Sequence, residues 1–380
     1  MLRFKNDDGS EFPEWEEHEI AELIQLYNEK VSSDCQLPIL TSSKKNGIEY
    51  QEEHFTGKQR HDIEGYNVLP RNYCTYRNRS DGTDFTFNIN KLCDKGIVSK
   101  FYPVFKEKDC DLFFLVSLLN NERKTVRKIA YTAKGTGQKV LSITDLRNIT
   151  VNMPSLPEQQ KIAEFLSTID TVIEKQKETV SAWEERKKGV MQKLFSQEVR
   201  FKADDGSEFP EWEEKNVEDV CSVSTGKGNT QDKVDTGAYR FYVRSPIIEH
   251  SDSYLFDEEA VITVGDGVGT GKVFHYVKGK YNLHQRCYRM YDFRDVTGKY
   301  FYYFFSTNFY RRVKSMSAKT SVDSVRMEMI TKMKILVPCL AEQQKIADCL
   351  SSFDEVIEKQ KATLAAWEEL KKGLLQQMFV

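Results

Sequence analysis

The sequence predicts an α+β protein in which two sheet-containing domains are separated by two long helices packed as an antiparallel coiled coil, in a pseudo-twofold internal repeat. Three observations predict it. The tract EQQKIAEFLSTIDTVIEKQKETVSAWEERKKGVMQKLF, from Glu158, returns from Glu342 as EQQKIADCLSSFDEVIEKQKATLAAWEELKKGLLQQMF, with about two thirds of the positions identical. A second tract, RFKNDDGSEFPEWEE from Arg3, returns as RFKADDGSEFPEWEE from Arg200, displaced by a different interval. The blocks between the copies do not repeat, and they carry strand-like patterns. Repetition at this fidelity means one structural unit used twice, and 380 residues exceed the length at which a single core usually stops growing.

In chain order, residues 1–17 form a repeated N-terminal tract and residues 18–155 a first domain. In that domain the runs Asp84–Ile89 and Ile97–Phe105 alternate apolar and polar residues between turn formers and read as strands, whereas Phe113–Asn120 reads as a helix. Residues 156–198 hold the first long helix. Ile162, Leu166, Ile169, Ile173, Gln176, Val180, Trp183, Lys187, Val190 and Leu194 follow alternating steps of four and three, which is a heptad seam. Pro154 and Pro157 mark the start, and Glu158 places a carboxylate at the positive end of the helix dipole. Residues 199–216 repeat the first tract, and residues 217–339 form the second domain. There Ala260–Val264, Lys272–Val277 and Tyr281–Met290 read as strands and Tyr300–Phe309 as a helix. Residues 340–380 hold the second long helix, after Pro338, with its first-turn carboxylate at Glu342. Its seam is Ile346, Leu350, Phe353, Ile357, Gln360, Leu364, Trp367, Lys371, Leu374 and Met378. At 1.5 Å per residue each helix is about 55 Å long, more than a compact domain needs internally, so length itself reads as a spacer. The alternative is that each helix serves a separate bundle. Gln176 and Gln360, polar layers in the seams, are expected to fix register, facing each other or different layers. All four tryptophans lie in repeated tracts: Trp183 and Trp367 read as seam core, Trp15 and Trp212 equally as core or as surface anchors or lids over the helix ends.

The net charge of −3 argues against a polyanionic partner, but its distribution does not. Residues 18–150 hold 20 Lys and Arg against 17 Asp and Glu, and residues 217–335 hold 18 against 14. The blocks are therefore mildly basic, at +3 and +4, and the remainder carries −10. The eight cysteines show no CxxC pair and no zinc-site spacing, which fits a reduced, cytoplasmic protein without structural metal. The N-terminal stretch lacks an apolar signal core and no run approaches a membrane span, so neither export nor insertion is expected.

Three glycine-rich basic loops, Lys134–Lys139, Thr225–Asn229 and Gly265–Lys272, have the composition to bring backbone N–H groups close to phosphate or simply to make tight turns. None is a nucleotide motif. In the third, Val273 stands where a P-loop needs Ser or Thr, and Thr270 and Lys272 occupy the third-glycine positions of the two possible GxGxxG frames. The sequence contains no HExxH and no GxSxG, no recognisable nuclease carboxylate spacing and no Asn-Pro-Pro-aromatic signature of amino-methyltransferases. The histidines (His18, His54, His61, His250, His275, His284) are dispersed. A binding role is expected rather than catalysis.

Two unlike blocks, each followed by an EQQKIA helix ending in KKG, resemble the specificity (S) subunit of type I restriction–modification systems. The resemblance rests on Leu156–Ala163, Leu340–Ala347 and the Trp-Glu-Glu-x-Lys-Lys-Gly stretches at 183–189 and 367–373, and it departs from pattern at Ala341, where the first copy has Pro157. It implies that each block is a target recognition domain reading one half of a bipartite double-stranded DNA sequence, while the helices set the gap. It implies no catalytic activity for this chain and no cofactor bound by it. Two methyltransferase subunits using S-adenosylmethionine would be recruited, and through them nuclease/translocase subunits using ATP and Mg. Candidate DNA contacts are basic residues near glycine or aromatic neighbours: Lys58, Arg60, Arg77, Arg79, Lys134 and Lys139 in the first block, and Lys227, Arg240, Arg244, Lys272, Arg286, Arg311, Arg312 and Lys319 in the second. Tyr73, Tyr76, Tyr239 and Tyr242 are either neighbours of bases or sheet core. The rival from another class is a coiled-coil scaffold without nucleic-acid binding; a second rival is an enzyme with an unrecognised motif.

Overall fold

The computed structural model describes residues 3–54, 62–267, 269–316 and 324–379. They fall into two compact units, Met1–Gln176 with Thr363–Val380, and Lys177–Ala362. Each unit thus takes one non-repeated block and a stretch of each long helix. No helix among the described residues is long and apolar enough to cross a membrane.

In the first unit, strand Glu16–Glu19 pairs antiparallel with Thr150–Met153, the strand that leads into the first long helix. This pairing ties the two ends of the block together. The block's main sheet has four strands in the order Ile24–Tyr27, Val104–Glu107, Cys74–Tyr76, Phe87–Ile89. Two of the expected strands are shorter than their patterns. The run 97–105 splits into Lys95–Val98 and Val104–Glu107 because Tyr102 N–H closes a turn on Ser99 O at 2.8 Å, and of 84–89 only Phe87–Ile89 finds a partner. Helix Leu112–Asn121 begins where Asp111 accepts the Phe114 N–H at 2.8 Å, an N-cap that alternating hydrophobicity does not reveal. Tyr76, Phe87, Phe105 and Phe114 are fully buried and share one core with Ile162 and Leu166 of the first long helix and Met378 and Phe379 from the end of the second.

The second unit repeats this plan around a larger sheet. Strand Glu213–Asn216 pairs with Lys334–Val337, again just before a long helix. Six strands follow the order Ser222–Thr225, Cys287–Tyr291, Phe256–Val264, Phe274–Leu283, Tyr239–Tyr242, Glu249–Ser251, with one parallel pair between Tyr239–Tyr242 and Phe274–Leu283. The sequence reads two strands, 272–277 and 281–290, divided at Gly279, but the structure runs one strand, Phe274–Leu283, through that glycine and breaks the second expected strand instead, where Cys287 N–H closes a turn on His284 O at 2.9 Å before Cys287–Tyr291. The partner Phe256–Val264 pairs with it from Phe274 to Tyr281, across the glycine, and Gly279, at φ +106°, takes a backbone conformation that a side chain would resist. Helix Gly298–Met316 extends beyond the expected 300–309 because Val313 is buried as well as Tyr300, Phe301, Phe305 and Phe309.

The long helices run Leu156–Phe195 and Leu340–Met378. In the second unit Glu184 meets Lys361 at 2.8 Å, Lys187 meets Asp354 at 2.5 Å, and the Trp183 and Phe353 rings lie 6.0 Å apart. From the Glu184 pair to the Lys187 pair the partner number falls from 361 to 354, so these stretches run antiparallel. In the first unit the matching ion pair is Asp170 with Lys371, at 2.5 Å. The two lysines that interrupt the apolar seam are therefore the two halves of a repeated ion-paired layer. Of the seam residues, Ile162, Leu166, Ile169, Ile173, Ile346, Leu350 and Ile357 are buried, whereas Trp183, Phe353 and Trp367 are half-buried.

Candidate nucleic-acid interface

The repeated motif explains itself atom by atom. Arg3 donates through Nε and Nη2 to the two carboxylate oxygens of Glu158, at 3.2 and 2.9 Å, and Arg200 does the same to Glu342, at 3.1 and 2.9 Å. Both carboxylates are completely buried. A planar fork on a buried carboxylate is a bond that only arginine makes in two parallel arms. Hydrogen bonds and charge from Glu158 and Glu342 raise the Arg3 and Arg200 guanidinium pKa above the ordinary value. The next residue of the motif holds the non-repeated block. Gln159 accepts the Asp111 N–H and donates to Pro154 O, both at 2.8 Å, while Gln343 accepts the Thr297 N–H at 2.8 Å and donates to Asp295 O at 2.9 Å. Lys161 and Lys345 each reach back to the repeated tract, onto Lys5 O and Lys202 O. Glu and Lys of EQQKIA therefore clamp the repeated tract, and Gln the non-repeated block, to one helix start. Trp212 Nε1 donates to Glu342 at 2.8 Å; Trp15 lies edge-on to Phe114, its Nε1 buried without a partner among the described residues. Both are half-buried packing groups at the helix start, which selects the core-or-lid reading of these tryptophans over the surface anchor.

The basic candidates separate into groups. In the first block Lys139 lies opposite Ser80 and Val140 opposite Arg79 in a two-stranded ribbon, which brings Arg79 and Lys139 to one edge near exposed Arg77. The Arg79 guanidinium covers the Phe101 ring at 4.1 Å. Lys134 is held by Asp145 at 2.8 Å, an ion pair that, with the Ser142 hydroxyl, holds the Asp145 carboxyl below its ordinary value. Lys58 and Arg60, like Lys319 in the second block, lie outside the described residues.

In the second block four segments meet at one rim of the sheet. Gly226 N–H bonds Cys287 O at 3.0 Å, Lys227 and Gly228 N–H bond Leu283 O at 3.1 and 2.8 Å, His284 N–H bonds Tyr242 O at 3.0 Å and Gly265 N–H bonds Arg286 O at 2.9 Å. The glycine-rich loop 225–229 thus spends its N–H groups on carbonyls rather than offering them to phosphate. Its glycines are required by close approach, because a Cβ on Gly226 would stand 2.2 Å from Leu283 O. Lys227, Arg244 and Arg286 are exposed on this rim, and between the two arginines lies Asp266, at 3.3 Å from Arg244 and 2.6 Å from Arg286. Burial pushes the Asp266 carboxyl up, but Arg286 and Arg244 outweigh it and hold it below its ordinary value. Lys272 lies over the Tyr310 ring at 5.4 Å, next to exposed Arg311. Arg312 differs: half-buried, it donates through Nε to Met329 O at 2.8 Å, so its first role is to hold the following short helix. Arg240 sits apart, exposed beside Lys299, Tyr302 and Tyr303 in a cleft of about 340 Å³.

Tyr76 and Tyr242 are buried sheet core, Tyr76 donating to Leu141 O at 3.0 Å; Tyr73 and Tyr239 are half-buried against Tyr27 and Tyr254. All eight cysteines are free. Burial pushes the Cys221 and Cys287 thiols up to about 12, which makes them poor nucleophiles and poor metal ligands. No group of three His, Cys, Asp or Glu suited to a metal occurs among the described residues. Sequence reasoning missed Asp266 and the Arg3–Glu158 and Arg200–Glu342 clamps. The repetition of Arg3 at Arg200 and of Glu158 at Glu342 was the available signal for the clamps, but their pairing needs the fold.

Comparison with known proteins agrees with this geometry. The chain is 24% identical over 318 residues to the specificity subunit of the type I restriction enzyme MjaVIII of Methanocaldococcus jannaschii, covering 75% of this chain and 73% of the relative. It is 24% identical over 290 residues to the putative MjaX specificity subunit of the same organism, covering 69% and 66%. The crystal structure of the S subunit of a type I restriction–modification system from M. genitalium has the same fold, with a TM-score of 0.62 at 13% identity over 100% of this chain and 98% of that one. The model of the type I restriction modification DNA specificity domain matches twice, at residues 14–181 and 210–366, once for each block with its helix. With a matched domain in each half of its length, the chain belongs to the type I restriction–modification DNA specificity family.

Proposed function

We propose that this chain is the DNA-reading subunit of a type I restriction–modification complex, with each block a target recognition domain for one half of a bipartite duplex sequence. The carrying observation is that one clamp, Arg–Glu–Gln–Lys, occurs twice and holds two blocks of different sheet and different basic rim. Identical mounts suit two copies of one partner, as matching surfaces require, and unlike readers suit an asymmetric target. In this reading residues 18–155 and 217–339 are the recognition domains, and the long helices at 156–198 and 340–380 set the unspecified gap between half-sites. Two methyltransferase subunits bind the repeated frame and bring the nuclease/translocase subunits. The methyl donor S-adenosylmethionine, ATP and Mg belong to those partners, and this chain, itself non-catalytic, works in the cytoplasm.

The test is a chimera in which residues 217–335 are replaced by the corresponding block of another specificity subunit, followed by mapping of methylated sites in the host. One half of the target is expected to change while the other half and the gap stay fixed. A change in both halves would refute modular reading, and a complex that methylates without sequence preference would favour a plain scaffold.

A further inference from the structure

The rim of the second block carries an arrangement that charge alone does not explain. Arg286 is fixed at its backbone from two sides: its N–H donates to His284 Nδ1 at 3.1 Å, and its carbonyl accepts from Gly265 N–H at 2.9 Å. A Cβ on Gly265 would stand 2.6 Å from that carbonyl, so the two turns touch only because the neighbour is glycine. The guanidinium is fixed as well, through Nη1 on Asp266 Oδ2 at 2.6 Å, while the other carboxylate oxygen takes Arg244 Nη1 at 3.3 Å. Nε and Nη2 of Arg286 have no partner among the described residues, and the side chain is still 61% exposed.

A phosphate site gains nothing from such a carboxylate, because it cancels one of the two positive charges that would attract the backbone. A base-reading site gains direction. Arginine is long and loses rotamer freedom on binding, and a carboxylate that holds one amine arm in advance removes part of that loss. The free Nε and Nη2 then form a two-donor edge, which fits the O6 and N7 acceptors of guanine and not the mixed donor and acceptor of adenine.

We propose that Asp266 is a positioning residue that aims Arg286 at a guanine edge in the half-site of the second block, with Arg244 steadied by the same carboxylate. The proposal rests on the DNA-reading function above and adds the base and the residues.

The experiment uses the full chain in complex with its methyltransferase subunits, binding duplexes randomised over the half-site at several salt concentrations. R286K keeps the charge and loses the fork. It is expected to lower the preference for guanine at one position roughly 10- to 100-fold while leaving the salt slope unchanged. D266N is expected to relax the same position by a smaller factor without weakening binding to other sequences, and D266E to restore part of the preference. Should R286K leave the base preference intact, or shift affinity equally on every duplex, Arg286 is not a base reader and the proposal fails. R286K also decides the matter if D266N does not fold. A wild-type complex with no sequence preference at all overturns the underlying reading and takes this proposal with it, a result distinct from any of the variant outcomes.

Discussion

At the scale of the residue, the repeated Glu158 and Glu342 matter more than a helix-dipole charge would. Each is wholly buried and gripped by a two-armed arginine. Removing one partner of such a pair leaves the other without compensation inside the fold, which costs about 3–5 kcal/mol. Glu342→Ala is therefore expected to lower the stability of the chain by that amount in chemical denaturation, whereas Glu14→Ala, at an acid 95% exposed beside Arg3, should be nearly silent. A second residue-scale expectation concerns pH. Burial holds the His275 imidazole below its ordinary 6.5, so the folded chain stays neutral there while the unfolded chain takes up a proton. Stability then falls as the pH drops through 6.5 towards the folded value, and does not change on that account above it. A lower melting temperature at pH 5.5 than at pH 7.5, with a reduced difference in His275→Gln, is the expected outcome of thermal unfolding.

At the scale of the element, the long helices carry the clearest message. The heptad spacing gives their position to within a few residues, because a 3.5-residue period sustained over ten layers has no competing interpretation. What the period does not give is the partner. Asp170, Glu184 and Asp354 lie off the seam, yet they pair with Lys371, Lys361 and Lys187. Within the proposed function, removing one heptad from each helix deletes about 10 Å of rise and keeps the seam on the same face. The gap between half-sites is expected to shorten by about three base pairs, at the 3.4 Å spacing of duplex steps. An unchanged gap in a methylation-site map would remove the spacer role. The strands were less legible than the helices. Gly279 reads as a break and instead lies inside one strand at positive φ, since the neighbouring strand continues its pairing on both sides of it.

At the scale of the whole molecule, the sequence by itself determined that one frame is used twice and that two different blocks are mounted on it, because repetition and heptad period are properties of order along the chain. It determined the family for the same reason: EQQKIA and its surroundings are a local pattern with a fixed job at a helix start. Only the tertiary structure decided which acids meet which bases. Arg3 and Glu158 are separated by 155 residues, and Asp266 stands 20 and 22 residues from the arginines it holds. Likewise Arg286 and Arg312 look equivalent as isolated basic residues, but one keeps two donors without a partner among the described residues and the other is bound to Met329 O. The physical reason is that a side chain's role depends on which groups share its low-dielectric surroundings, and those neighbours are brought together by strand pairing and helix packing between segments far apart in the chain.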